Sequence, residues 1–457
     1  MAPNDTIAAI ATPPGIGGIA IIRLSGDNSL DVVQHIFRGK NAPGDVGTHR
    51  VIHGSIVDPE GGGEIDEVLV TVMHAPHSYT GEHVIEISCH GGVVPAHRVL
   101  EACLAAGARM AERGEFTRRA FLNGRIDLTQ AEAILDVITA KTKEGLQNAL
   151  FQRNGMFSNK VQQLKEALLA TMSGLELSLD FAHEDIAVPD NEAVRDSIIE
   201  AIGLIDAMVV AGRRAIVLRE GISAAIVGKP NVGKSSLLNA LLLEERAIVT
   251  PLPGTTRDII EGWINIQGIP IKLYDTCGFH DAGNVVEKKG MEKTEEAIAE
   301  TTFVLFVTDG SETVTPQDRK IFARARGKPL IIVINKSDLP QVIDISDVLN
   351  GETFPVCRIS AKEHTGVGQL NDAILTLMGM EHIRFDEGMP TRSRHLTLLL
   401  RARESLEKAR KDIGERKTPE LVAVNIKDAL TALAEIIGEV TPEGVLDAIF
   451  REFCIGK

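Results

Sequence analysis

Gly228-Lys229-Pro230-Asn231-Val232-Gly233-Lys234-Ser235 follows the apolar run Ile222-Ser223-Ala224-Ala225-Ile226-Val227 and leads into the apolar stretch Ser236-Leu237-Leu238-Asn239-Ala240-Leu241-Leu242. The octapeptide fits G-x-x-x-x-G-K-[ST] in the strand, loop and helix setting that this pattern requires. Its two glycines permit a tight loop whose amides face phosphate. Lys234 can reach the outer phosphates, and the Ser235 hydroxyl can ligate Mg²⁺. Asn231, Val232, Gly233 and Ser236 complete the candidate phosphate-binding set. Outward from this loop, buried strand-sized runs alternate with helical stretches from Gly221 to about Met378, which predicts a βαβ parallel sheet.

Three further motifs select the nucleotide. Asp275-Thr276-Cys277-Gly278 follows the strand-like Ile271-Lys272-Leu273-Tyr274, where Asp275 can hold Mg²⁺ through water and the Gly278 amide can sense a γ-phosphate. Asn335-Lys336-Ser337-Asp338 ends the run Leu330 to Ile334. Asp338 can accept both the N1–H and the 2-amino group of guanine, a donor pair that adenine lacks. Ser360-Ala361-Lys362 would support the base oxygen from the backbone. In this order the motifs resemble those of translation-factor-class small GTPases over about residues 221–378, which implies a Ras-like P-loop domain that binds GTP with Mg²⁺. Gly254-Thr255-Thr256-Arg257-Asp258 resembles a switch I sequence, which would make Thr256 the second protein ligand of Mg²⁺ beside Ser235. Phe279 stands where Ras-like enzymes carry the glutamine that orients the attacking water, and a phenyl ring cannot do that. The resemblance offers Asn231, Thr250, Leu252 and Thr255 as K⁺ ligands and Glu287 as the residue that orients water. Read without it, Glu287 is a solvated helix residue.

The 457 residues suggest about three domains. Apolar residues make up 44% and charged residues 24%, which excludes a disordered or disulfide-scaffold chain. A net charge of −15 gives a poor field for nonspecific polyanion binding. Nucleic acid must therefore meet a local patch or a partner. One Trp and two Tyr are too few for a base-stacking sheet. Cys89, Cys103, Cys277, Cys357 and Cys454 are odd in number and lack C-x-x-C spacing, which argues against a disulfide framework or a zinc finger. A reducing, cytoplasmic compartment and no membrane span are expected.

Before Gly221 the texture changes twice. Residues 1–121 mix short strands with Gly/Pro punctuation and predict an α+β domain, whereas 122–220 and 379–457 carry helical periodicity. The economical reading is one discontinuous helical domain interrupted by the 221–378 domain. Residues 391–417 hold nine Lys/Arg against four Asp/Glu, and 180–206 hold eight acids against one Arg. Either run can be a solvated helix face, and the basic one is the best local candidate for phosphate contact.

The flanks carry a resemblance over the whole length. DTIAAIATPPGIGGIAIIRLSG (5–26), TGEHVIEISCHGG (80–92), RGEFTRRAFLNGRIDLTQAEAI (113–134) and the terminal FCIGK are similar to the MnmE (TrmE) family of bacterial tRNA-modifying GTPases. The resemblance implies a folate-binding homodimerisation domain, a helical domain and an inserted G domain. It also implies an FAD-dependent partner, MnmG, in a heterotetramer. Together they would install an aminomethyl or carboxymethylaminomethyl group at C5 of the wobble uridine of certain tRNAs, with 5,10-methylene-tetrahydrofolate as carbon donor and 5-formyltetrahydrofolate as a binding analogue. By motif match the folate contacts fall on Arg23, Glu86, Arg125 and Lys457, where cations suit the glutamate tail and a carboxylate suits the pterin N–H edge. Cys454 is an unreactive tail thiol on its residues alone, and the resemblance suggests a site thiol beside the folate. The competing function is a ribosome-assembly or signalling GTPase switch, which the N-terminal match and the FCIGK tail disfavour.

Overall fold

A computed structural model describes residues 5–180, 191–244, 260–275, 295–349, 351–380 and 388–457. Two compact units emerge. One comprises Met1–Leu135, Arg153–Ile199 and Glu404–Lys457, the other Asp136–Gln152 and Glu200–Arg403.

In the first unit seven strands form one sheet: Ile7–Ile10 (β1), Ile19–Ser25 (β2), Phe37–Gly39 (β3), Arg50–Val57 (β4), Glu64–Met73 (β5), Val84–His90 (β6) and Arg109–Met110 (β7). Their order is β3-β4-β5-β6-β2-β1-β7, antiparallel except for the β1/β7 pair. The period of two decides which face each residue serves. Ala20, Ile22 and Leu24 of β2 and Ile85, Ile87 and Cys89 of β6 point into a core completed by Val33 and Ile36 of helix Ser29–Ile36 and by Val99, Leu100 and Cys103 of helix Val93–Ala105. Burial of each such aliphatic side chain stabilises by roughly 1.5–3 kcal/mol. The same alternation turns Arg23 and Glu86 to the opposite face, directly across from each other in the register.

Helix Glu443–Arg451 then brings the end of the chain to this sheet. Ile449, Phe450 and Phe453 pack with Leu128, Ala131 and Leu135. Arg113 Nε donates to Phe453 O at 2.9 Å, and Arg113 bridges Ile455 in antiparallel fashion. Gly456, at φ 93°, lies so close to β1 that a Cβ would come within 2.5 Å of Ile10 O. Only glycine serves there.

The second unit holds Ile222–Val227 (β8), Ile260–Ile266 (β9), Ile269–Asp275 (β10), Phe303–Asp309 (β11), Leu330–Asn335 (β12) and Val356–Arg358 (β13). The order is β13-β12-β11-β8-β10-β9, all parallel except β9/β10. β11 and β12 are buried at every position. This is why their sequences are continuous apolar runs rather than alternating ones. Parallel neighbours of β8 lie on both sides, β10 and β11, so β8 sits where the winding reverses and its carboxyl end opens onto a crevice.

Segments from either side of the sheet's sequence meet around Asp136. Its Oδ1 accepts from Arg219 Nε at 2.9 Å and from Arg392 Nη2 at 3.0 Å, and its Oδ2 accepts from Thr391 Oγ1 at 2.9 Å. Arg392 is therefore a buried structural cation and leaves the basic stretch that the sequence sets out for phosphate contact.

The same unit carries a cation–aromatic contact. The β9–β10 hairpin turns through Gln267 and Gly268, both left-handed, as a two-residue hairpin loop requires. Lys141 Nζ lies 3.7 Å from the Trp263 ring centroid and donates to Glu220 O at 2.8 Å. Burial, with the Lys272 and Arg219 charges, pushes the Lys141 ammonium down to about 8, against the Glu220 carboxylate. Below that pH the cation sits on the indole face, and above it the attraction is lost. Emission from Trp263, the one tryptophan in the sequence, should thus titrate with a midpoint near pH 8, and Lys141→Met should abolish the titration. Flat native emission from about pH 7 to 9.5 would contradict this.

Candidate functional site

The motif residues that the structure describes converge on the carboxyl ends of β8, β10, β12 and β13. Asn231 and Gly233 take φ 65° and 92°, and the loop closes onto helix Lys234–Glu244. Successive amides and the helix start form an anion-binding concavity. A Cβ on Gly228 would collide with Val307 O, and one on Gly233 with the Asn335 amide. Lys234 is buried, with Nζ donating to Gly228 O and Lys229 O, both at 2.7 Å. Val232 is buried, whereas Asn231, Ser235 and Ser236 are exposed at the mouth.

Asn335 joins this loop to the base-binding side. Its Nδ2 donates to Val232 O at 2.8 Å, and its Oδ1 accepts from Ala361 N at 3.0 Å. Asp338 Oδ1 accepts from Ser360 Oγ at 2.5 Å, and Ser360 Oγ also accepts from Glu363 N at 3.2 Å. The Ser360 hydrogen bond, then the Asp338 backbone amide, hold the Asp338 carboxyl below the usual carboxylate range. It is thus an anionic acceptor at neutral pH, as guanine recognition demands. Lys336 (φ 62°) pairs with Asp309 at 2.6 Å. Lys362 is exposed beside Glu363.

Asp275 ends β10, and its side chain lies outside the described residues, as do Thr250, Leu252, Thr255, Thr256, Gly278, Phe279 and Glu287. The Mg²⁺ and K⁺ assignments that use them stand as sequence expectations.

A second cluster lies in the first unit. Arg23 Nε and Nη2 both reach Glu86 Oε1, at 2.8 and 2.7 Å, and Arg23 Nη1 donates to Gly456 O at 3.0 Å. Tyr79 and Phe116 flank the guanidinium at 5.6 and 5.7 Å. Lys457 is half-buried beside it. Desolvation, then the Arg23 charge, lowers the Lys457 ammonium below its ordinary value, and the charges of Glu86 and Cys454 act the other way. Cys454 is exposed. The structure therefore gathers Arg23, Glu86, Cys454 and Lys457, and the tail is already seated. Arg125 stands apart from these contacts. It is exposed, with Cγ 3.2 Å from an ideal Cβ on Gly81, in the loop that also carries Tyr79. Sequence reasoning missed Tyr79 and Phe116, which read from the sequence alone as a loop aromatic and a core aromatic.

The profile described as "MnmE helical domain" matches residues 128–454, and "GTP-binding protein TrmE N-terminus" matches 6–125. The chain is 42% identical over 456 residues to the "tRNA modification GTPase MnmE" of Natranaerobius thermophilus, covering 99% of this chain and 100% of that one.

The chain belongs to the MnmE family of tRNA modification GTPases.

The MnmE protein of Acetivibrio thermocellus is 43% identical over 462 residues, covering 99% of each chain. A solved structure of an Aquifex aeolicus Era variant bound to GDP·AlF4⁻ is 30% identical over 40% of this chain and 66% of that chain, with a TM-score of 0.28. As in the rest of the MnmE family, the enzyme class is GTP hydrolase.

The expected base-reading role of Asp338 rests on this carboxylate. Asp338→Asn should weaken GTP binding about tenfold to a hundredfold, the loss expected for a charged hydrogen-bond pair. It should also shift preference toward xanthine nucleotides, which replace the amino donor with a carbonyl acceptor. Unchanged GTP affinity in a nucleotide titration would refute the base assignment.

Proposed function

We propose that the chain is a K⁺-dependent GTPase that works with an FAD-dependent partner, MnmG. In this reading it forms the aminomethyl or carboxymethylaminomethyl group at C5 of the wobble uridine of certain tRNAs from a tetrahydrofolate one-carbon unit. Identity of 42% over 99% of the chain carries this reading, because it spans both the nucleotide loops and the tail. The proposed domains are 1–121, 122–220, 221–378 and 379–457.

The described nucleotide residues fit GTP. Left-handed turns at Asn231 and Gly233 expose amides to phosphate, Lys234 is within its own loop, and Ser235 lies at the helix start as a Mg²⁺ ligand. Bound Mg²⁺ and K⁺ would offset the charge that develops on the phosphates during hydrolysis. Asn335, Lys336, Asp338, Ser360, Ala361 and Lys362 orient the guanine, and Glu287 orients the attacking water. Hydrolysis should then be much faster in K⁺ than in Na⁺. Glu287→Ala should lower kcat with little change in nucleotide affinity. Equal turnover in both salts would remove the cation from the mechanism.

The cluster around Arg23 fits a folate. Two half-buried cations, Arg23 and Lys457, face a carboxylate, Glu86, and an aromatic wall formed by Tyr79 and Phe116. Arg125 would meet the ligand from the Gly81 loop, with Cys454 beside it as the site thiol.

Direct tRNA contact by the basic stretch is limited by the acids paired with it. Arg403 pairs with Asp206 at 2.6 Å, Lys408 with Glu404 at 2.8 Å, Arg410 with Glu407 at 2.6 Å and Lys417 with Asp412 at 2.7 Å. A neutralised cation releases fewer counterions, so tight tRNA binding is assigned to the homodimer together with its flavoprotein partner.

Deletion of Cys454 to Lys457 should abolish wobble-uridine modification and weaken 5-formyltetrahydrofolate binding while GTP hydrolysis stays largely intact. Calorimetry and nucleoside mass spectrometry test the two halves. Equal folate affinity with and without the tail would take it out of the pocket.

A further inference from the structure

Two ion-paired lysines, Lys336 and Lys229, tie the nucleotide loops to one segment. β11 ends at Asp309, which is 3% exposed. Its Oδ1 accepts from Ser311 N at 2.9 Å and Ser311 Oγ at 2.7 Å, and its Oδ2 meets Lys336 Nζ at 2.6 Å. Burial works against the anion, but the bonds from Lys336 and Ser311 outweigh it and keep the carboxyl below its ordinary value.

The segment ends in helix Pro316–Ala325, whose capping box pairs Thr315 with Asp318. Asp318 is 2% exposed. Its Oδ2 accepts from Thr315 N at 2.9 Å and from Thr315 Oγ1 at 2.6 Å, and it lies 3.3 Å from Lys229 Nζ. Lys229 also reaches Glu312 Oε2 at 2.8 Å, and its side chain is nearly buried. Both tethered loops contain residues with side chains in left-handed conformations, Lys336 at φ 62° and Asn231 at φ 65°. Such a conformation is costly for a residue with a Cβ and persists only where surroundings enforce it.

We propose that Asp309 to Asp318 is a positioning clamp for the nucleotide, in which Asp309 holds the guanine loop through Lys336 while Asp318 and Glu312 hold the phosphate loop through Lys229. The inference rests on the guanine-nucleotide reading of this site. The clamp carboxylates are bonded to Lys336, Ser311, Thr315 and Lys229, so the clamp is assigned to affinity rather than to the chemical step.

The test measures the Kd of fluorescently labelled GDP, and KM and kcat for GTP, on the full chain. Circular dichroism and thermal unfolding identify any variant that fails to fold. Asp309→Asn keeps the shape and the Ser311 contacts but removes the charge from Lys336. It should raise Kd about tenfold or more while kcat at saturating GTP stays within about twofold. Lys229→Met should raise Kd similarly from the phosphate side. In a Lys336→Met background, Asp309→Asn should add less than about twofold, because the pair is already broken. A native chain that binds no GDP would refute the nucleotide reading and the clamp with it. If the native chain binds, an unchanged Kd in either variant removes that arm of the clamp. Full additivity of Asp309→Asn with Lys336→Met, or a fall in kcat without a change in Kd, overturns the positioning role.

Discussion

The Asn335 carboxamide is buried, and both of its ends are used: the N–H faces the Val232 carbonyl and the oxygen faces the Ala361 amide. Replacing it with an apolar side chain would leave two buried backbone groups unpaired, at about 1–3 kcal/mol each. It would also uncouple the phosphate loop from the base loop and the Ser360 loop, which Ser360 and Asp338 join to each other. Gly233 must lack a Cβ because that amide occupies the space. Ser360, which holds Asp338, is followed directly by Ala361, which Asn335 holds. The link between the phosphate loop and the Ser360 to Lys362 loop therefore depends on one amide.

The antiparallel unit solves a different problem. Its site lies on an outward sheet face, where a charged side chain would ordinarily be solvated. Arg23 is instead enclosed by Glu86 across the register, by two aromatic rings and by the Gly456 carbonyl. A tail residue without a Cβ is needed for that approach, since the chain runs against the Ile10 carbonyl. The anchor is apolar: Phe453 is fully buried, and Phe450 almost so, in the cluster with Leu128 and Leu135. Apolar burial supplies the docking energy, and the glycine lets the last residues turn onto the sheet.

What was legible in the sequence follows from how each feature is encoded. The Gly228 to Ser235 loop, Asn335 to Asp338 and Ser360 to Lys362 are local, because a strand end, a left-handed turn and a helix start leave marks on adjacent residues. The parallel sheet was legible from Phe303 to Asp309 and from Leu330 to Asn335, since strands buried on both faces carry unbroken apolar runs. Burial of Arg392 was not legible. Its partner Asp136 is remote in sequence, and a count of charges treats all cations alike. The same blindness hid Asp309, which reads as a turn acid after a strand, and Tyr79, which reads as a loop aromatic. Pairing across the fold changed the meaning of residues whose type alone suggested solvent or core.

The two sites therefore respond differently to sequence change. At the phosphate loop the shape is set by the backbone, so many side chains around it can vary as long as the φ values of Asn231 and Gly233 and the Asn335 bridge persist. At the Arg23 site the contacts are side chains set by strand register, and one of them is met by a carbonyl 433 residues away. A one-residue slip of β2 against β6 would turn Arg23 into the aliphatic core and Ile22 outward, which removes the cation and the core contact together. The buried row of Ala20, Ile22 and Leu24 is thus what fixes the position of the charge, and the apolar face of the sheet determines the chemistry available on the other.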